Sequence, residues 1–558
     1  MTDDKAPVFR VGLAMAGAVS AGAYTAGVLD FLFEALDAWH DAKARGEAVP
    51  RHQLALDVAS GASAGAMCAA LLAAVLPYDF PHVRLDAQRQ PSPGASDNPF
   101  YRAWVEDIDI RPMLDPADLA GGQLPALLNC GVIDRILYQA LDYRAPLKAR
   151  PYVTRPFVNR YTIGNLRGVP YDLSYRGLRQ ASDAVYAHDD ALGFLVGGAG
   201  MPAPAACAGG YARVDERASS SAPDWHNLGE AALASGAFPI FLRPRALRRD
   251  AGDYASRRYY NPDPGQDQHE VAVPPAWPDG KAPADYDFVA VDGGIFTNEP
   301  LDLAREVLQG AAGHAPQGAA ADSAVLMIAP FVGRPGAGSR VPLGPPHRLL
   351  LPLLFSFIAQ CRFKPADLVL AQDPNVYNRF LVAPTASASP QAAPYWIAGG
   401  PLQGFFGFLH REFRKHDFQL GRRNCQNFLR QYFRLPAGNP VVAYGYGHLP
   451  PAQRQAWLDP DGQLPIIPLI GGVSADEALC DWPAGVFHPE ELMDAIGGRV
   501  DAVFRYYRDS LASGSGSGSA AARWATRAYL QLGWLAGRGQ VLDGLRDTLD
   551  SARKAQQL

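Results

Sequence analysis

Two consecutive strand, small-residue loop and helix units within the first 76 residues constrain this chain more than any other feature. Residues 8–15 form a short apolar run and residues 16–22 a loop of small side chains. Leu29, Leu32, Phe33 and Leu36 then recur at helical spacing. The pattern repeats at once: residues 54–59 are apolar, 60–62 make a tight turn, and a helix of small residues runs over 64–76 until Pro77 stops it. Such a series predicts an α/β fold with parallel strands, because a parallel neighbour needs a crossover long enough to carry a helix.

Further along, strands are predicted at 286–291 and 323–332, and a helix at 299–308. A hairpin over 161–175 would turn at Arg167-Gly168-Val169-Pro170. Residues 77–125, with Pro81, Pro91, Pro93 and Pro99, read as an excursion from the core, and polar stretches at 198–223 and 261–284 read as loops. Beyond residue 335 the texture turns helical: Leu402, Phe405, Phe406, Leu409 and Phe413 share one helical face, and helices are predicted near 490–508, 521–536 and 540–555. At 558 residues the chain exceeds what one core usually serves. The expected division is an α/β domain over 1–335, with a central, mostly parallel sheet flanked by helices, and a mainly helical domain over 336–558 containing a Gly/Ser linker at 513–519.

Bulk composition limits the partners. A formal charge of −5 with 19% charged residues gives no global basic field, so no nucleic acid is expected, and any contact with a lipid surface must be local and peripheral. The six cysteines lie far apart without a C-x-x-C pair, which suits reduced thiols and a cytoplasmic setting. The twelve histidines show no metal-binding spacing, and neither metal nor cofactor is expected. Lys5 and Arg10 before an apolar run imitate a secretory leader, but the acidic opening Met1-Thr2-Asp3-Asp4 and the continuing helical pattern argue against one. No transmembrane helix is predicted, and oligomeric state is not set by the sequence.

The chemistry concentrates at three places. Gly61-Ala62-Ser63-Ala64-Gly65 matches G-x-S-x-G, a weak signal alone in a chain with 55 glycines. Its setting between an apolar strand and a helix strengthens it: a sharp turn there exposes a serine hydroxyl at a helix N-terminus, and side chains at Gly61 or Gly65 would collide with backbone. A nucleophilic serine needs a base and a place for the oxyanion. Asp292 ends an apolar strand and is followed by Gly293 and Gly294; alone, it would read as an aspartate making a turn. The loop Gly17-Ala18-Val19-Ser20-Ala21-Gly22 could converge its backbone amides on a small pocket, or serve only as a structural or phosphate-binding turn.

Taken together, these places resemble the patatin-like phospholipase family: a glycine-rich oxyanion loop after the first strand, a G-x-S-x-G elbow, then an Asp-Gly-Gly run. The segment at 23–29, the run Ala234-Ser235-Gly236-Ala237-Phe238-Pro239, Asn298 and Pro300 extend the resemblance over roughly residues 8–330. It implies a lipid acyl hydrolase working through a Ser63/Asp292 dyad, with Gly17, Ala18 and Val19 holding the oxyanion, an acyl-enzyme intermediate and a lipid substrate. The loop departs from the usual Gly-Gly-Gly-x-Arg-Gly, with Ala21 in place of the arginine, and Val19 would be strained if its position demands a positive φ. That departure motivates a rival reading, a catalytically weak lipid-binding or regulatory relative. Another rival is an esterase triad using His314 or His347. The stretch from Phe413 to Phe418, followed by Leu420 to Asn424, is similar to a helical region of a bacterial branch of the family, with no role implied.

Overall fold

The computed structural model describes residues 6–174, 182–204, 207, 210–260, 270–309, 318–331, 349, 353, 356, 359–361, 379–385, 397–514 and 520–557. Its opening follows the predicted units: β1 (Val8–Met15), α1 (Gly22–Ala44), β2 (Gln53–Gly61) and α2 (Ala64–Val75). Both faces of β1 are covered from Val11 onward, which is why it reads as one apolar run rather than an alternating one. The Ala, Gly and Cys side chains of α2 let it lie close to the sheet. α1 is long and apolar enough to cross a membrane by length and composition, yet 89% of its apolar window is buried within the protein.

The chain continues through α3 (Gly131–Leu141), β3 (Val153–Ser174), β4 (Ser182–Val196), β5 (Tyr211–Val214), α4 (Pro223–Ser235), β6 (Arg245–Arg249), β7 (Arg258–Tyr260), β8 (Glu270–Ala272), β9 (Tyr286–Asp292), α5 (Leu301–Gln309), β10 (Ser323–Ile328) and β11 (Arg379–Val382). Among the described residues nine strands form one mostly parallel sheet in the order β11-β10-β1-β2-β3-β4-β5, with β9 pairing antiparallel to β3 and β6 antiparallel to β9. β4 is antiparallel to β3. The longest helices of the remainder are α6 (Arg411–Gln431), α7 (Met493–Gly514) and α8 (Ala520–Gln557).

Several expectations are corrected. No hairpin turn occurs at 167–170: β3 runs straight through with a register shift between Gly164 and Val169, and Gly168 at φ +74 supplies the left-handed residue of the bulge. The stretch 77–125 is not excursion throughout: 84–94 and 115–125 are largely exposed, but Phe100, Tyr101, Trp104 and Val105 are buried in the core and the Trp104 ring lies against Gly22. β5 crosses the segment expected to be loop. Leu402 to Leu409 form 3-10 turns rather than an α-helix, and the two helices expected after 520 are a single one. Most of the Gly/Ser linker lies outside the described residues.

The boundary expected near residue 335 does not separate one core from another. β11 extends the sheet beside β10, and a single hydrophobic cluster joins Leu13, Leu29 and Leu71 with Val382, Phe413, Phe418 and Phe428. α6 lies across α1 at backbone contact. A Cβ on Gly27 would stand 1.9 Å from Phe418 O, and one on Gly421 would stand 2.2 Å from Tyr24 O. Beside this crossing, fully buried Arg422 bridges Asp30, Glu34 and Glu477. Burial alone would push the Asp30 carboxyl up; Arg422 and His82 outweigh it and hold the group down at about 2.

Candidate active site

The sheet register explains how residues far apart in sequence meet. β2 and β9 lie end to end along the same edge of β3 and run toward each other: Gly61 stands opposite Tyr161, and Asp292 opposite Ile163. Two residues along a strand span about 7 Å, so the turn after β2 arrives at the end of β9. β1 ends level with β2, Met15 opposite Gly61. Hence residues 16–21, the elbow at 61–65 and Asp292 share one end of the sheet, with the N-termini of α1 and α2 directed at it. Aligned helix dipoles there favour developing negative charge.

Ser63 occupies a left-handed backbone position, φ +52 and ψ −123, just before α2. The turn closes because Gly61 and Gly65 lack side chains: a Cβ on Gly61 would lie 2.4 Å from Gly65 O, and one on Gly65 would lie 2.2 Å from Met15 O. Ser63 Oγ donates to Asp292 Oδ2 at 2.7 Å, and the other carboxylate oxygen accepts from Gly294 N at 2.7 Å. Gly293 packs onto the Thr162 backbone of β3, leaving no room for a side chain. Asp292 is 3% exposed, and burial pushes its carboxyl up to about 7 although the bonds from Ser63 and Gly294 N–H pull it down. A carboxylate poised there can accept a proton near neutral pH.

The loop at 17–22 lies against the serine, with a Cβ on Gly17 falling 3.1 Å from Ser63 Cβ and 2.4 Å from Asn298 Oδ1. Its details differ from the expectation that residues 17, 18 and 19 all donate to an oxyanion. The Gly17 N–H is donated to Asn298 O at 3.1 Å, so Gly17 gives space rather than a hydrogen bond. Among the described residues nothing accepts from the amides of Ala18 or Val19. Val19 sits at φ +50, so the strain foreseen for a β-branched residue is present.

Sequence reasoning gave no role to Ser235, at the end of α4. Its Oγ accepts the Ser63 N–H at 2.9 Å, and two residues on, Ala237 O accepts the Asp292 N–H at 3.0 Å. The run at 234–239 thus ties both members of the Ser63/Asp292 pair to one helix end. Phe331 lies against Gly404 and Met67 against Gly236, and Phe405 packs on Phe238 and Phe241, so apolar side chains border the segments around Ser63. Of the arginines at 243–249, Arg243 and Arg245 pair with Asp134 and Arg249 with Asp190, while Arg248 lies on the surface with Asp285. His314 and His347 lie outside the described residues. Among the described residues Asp292 is the side chain bonded to Ser63 Oγ, and no cluster of metal-ligating side chains forms.

The family model for patatin-like phospholipase matches residues 13–305, from β1 into α5 and across all three places. The protein described as uncharacterized protein y4iI of Sinorhizobium fredii (strain NBRC 101917 / NGR234) is 34% identical over 532 residues, covering 86% of this chain and 73% of that one. The crystal structure of VipD from Legionella pneumophila covers 99% of this chain and 89% of that chain at 12% identity and a TM-score of 0.20, an overlap too low to bear on the fold.

Proposed function

Since this chain belongs to the patatin-like phospholipase family, whose domain is that of a lipid acyl hydrolase, we propose that it cleaves acyl esters of phospholipids or related lipids through a Ser63/Asp292 dyad. The observation that carries the reading is the 2.7 Å hydrogen bond from Ser63 Oγ to a buried carboxylate held near neutrality. Asp292 takes the serine proton as Oγ forms a bond to the ester carbonyl carbon, and the Ala18 and Val19 amides receive the oxyanion. The carbonyl re-forms, the C–O bond to the alcohol breaks, and Asp292 returns its proton to the leaving oxygen. Water then gives a proton to Asp292 and its oxygen to the acyl carbon; the fatty acid departs and Ser63 regains its hydrogen.

Residues 1–335 carry the chemistry in this reading, and the remainder shapes access to it. The lipid is met at a membrane or micelle surface by peripheral, transient contact, and six unpaired thiols suit a reducing cytoplasm. The test is incubation with mixed phospholipid and neutral lipid vesicles, with products read by mass spectrometry. Wild type should release fatty acid and Ser63→Ala should lose at least about 10³-fold in rate. Equal product from both would end the proposal. A folded wild type that binds vesicles without hydrolysis would favour the lipid-binding rival, which the strained Val19 loop motivates.

A further inference from the structure

The helix segment at 413–418 lies far beyond the catalytic residues in sequence, yet its side chains fasten a turn that packs on the loop beside Ser63. Asp417 is 1% exposed, and its two oxygens accept the N–H groups of Ala398 at 2.7 Å and Gly399 at 2.9 Å. Buried Arg414 donates to Gly407 O at 2.8 Å and to Val105 O at 3.1 Å. Together they fasten both ends of the turn at 398–408. Within that turn Gly404 O accepts the Ser20 hydroxyl, a Cβ on Gly404 would stand 3.1 Å from Ala18 O, and one on Gly407 would overlap Ser20 Oγ. The turn therefore grips the two residues that flank Val19.

A β-branched residue at positive φ is strained and persists only where its surroundings over-determine it. We infer that Asp417 and Arg414 are positioning residues: through the turn at 398–408 and Ser20, they hold Val19 in the backbone state that leaves the Ala18 and Val19 amides free beside Ser63. In this chain tertiary contact from α6 does what glycines in the loop would otherwise do. The inference rests on residues 18 and 19 being the oxyanion site.

The experiment uses the full chain with Ser20→Ala and Asp417→Asn, each in a Val19 and in a Val19→Gly background. Steady-state hydrolysis of 4-nitrophenyl butyrate gives kcat and KM, and hydrogen–deuterium exchange follows the peptide covering residues 16–23. With Val19 present, each variant should lose about tenfold in kcat at nearly constant KM, and the peptide should exchange faster. In the glycine background the loss should shrink to about twofold, because glycine adopts the left-handed state unaided. Unchanged kcat and exchange, or equal losses in both backgrounds, would overturn the inference. If Asp417→Asn fails to fold, Ser20→Ala decides. Failure of wild type to turn over the ester counts against the proposed function instead, and the exchange rates then judge the positioning claim by themselves.

Discussion

The turn at 61–65 and the loop at 17–22 each place one side-chain-bearing residue in left-handed backbone, Ser63 at φ +52 and Val19 at φ +50. Around Ser63 most of the demand is met locally: Gly61 and Gly65 open the space, the turn runs into α2, and Ser235 takes the free amide. Around Val19 the neighbours are Ala18 and Ser20, and the support comes from residues 404, 407, 414 and 417. A backbone geometry can thus be written into a short motif or imposed from a distant region of the chain. Only the first kind leaves a recognisable spelling.

Substitutions should separate the two cases. The largest effect is expected for Gly65→Ala, whose Cβ would meet Met15 O at 2.2 Å, backbone against backbone with nothing able to swing aside. A loss of stability above about 3 kcal/mol in denaturant unfolding is expected; a mild effect would mean the elbow is looser than described. Next comes Asp292→Asn. The folded-state carboxyl is raised to about 7 from an ordinary 3.8, so the folded protein keeps its proton longer than the unfolded chain, and stability falls as pH rises from 4 through 7. The asparagine variant should gain on the order of a few kcal/mol over wild type at pH 8, with the gain fading toward pH 4.

A smaller effect follows from Ser235→Ala, which strands the Ser63 N–H in a buried place. A cost of about 1–3 kcal/mol is expected in thermal unfolding, and no cost would show the elbow to be self-sufficient. The smallest belongs to Val19→Gly, where relief of strain offsets lost packing and a freer unfolded chain. Its stability should stay within about 1 kcal/mol of wild type, the opposite of Gly65→Ala although both change one glycine-related position of the same site.

The same contrast governs what the sequence could tell. The parallel units, the elbow and Asp292 were legible because each rests on short-range patterns: apolar runs, helical spacing, glycines where backbone crowds. Beyond 335, β11 extends the same sheet and α6 shares the same hydrophobic cluster, by contacts that leave only an apolar texture in the sequence. Gly168 was read as a turn because a left-handed glycine serves a hairpin and a bulge equally well. The glycine loop suggests a donor at Gly17 whose N–H Asn298 O already takes, and the partnership of Ser235 with the elbow depends on the fold bringing α4 against it.

In the proposed function Ser63, activated by Asp292, is the nucleophile. Labelling the intact chain with a fluorophosphonate probe and mapping the adduct by peptide mass spectrometry across a pH series tests it most directly. One adduct is expected, on Ser63, forming at a rate that rises with pH and is half-maximal near 7 as Asp292 loses its proton. Slowing by about 10²-fold or more is expected in Asp292→Asn, and no label in Ser63→Ala. A folded wild-type protein that takes up no probe, or takes it up on another residue, would contradict it.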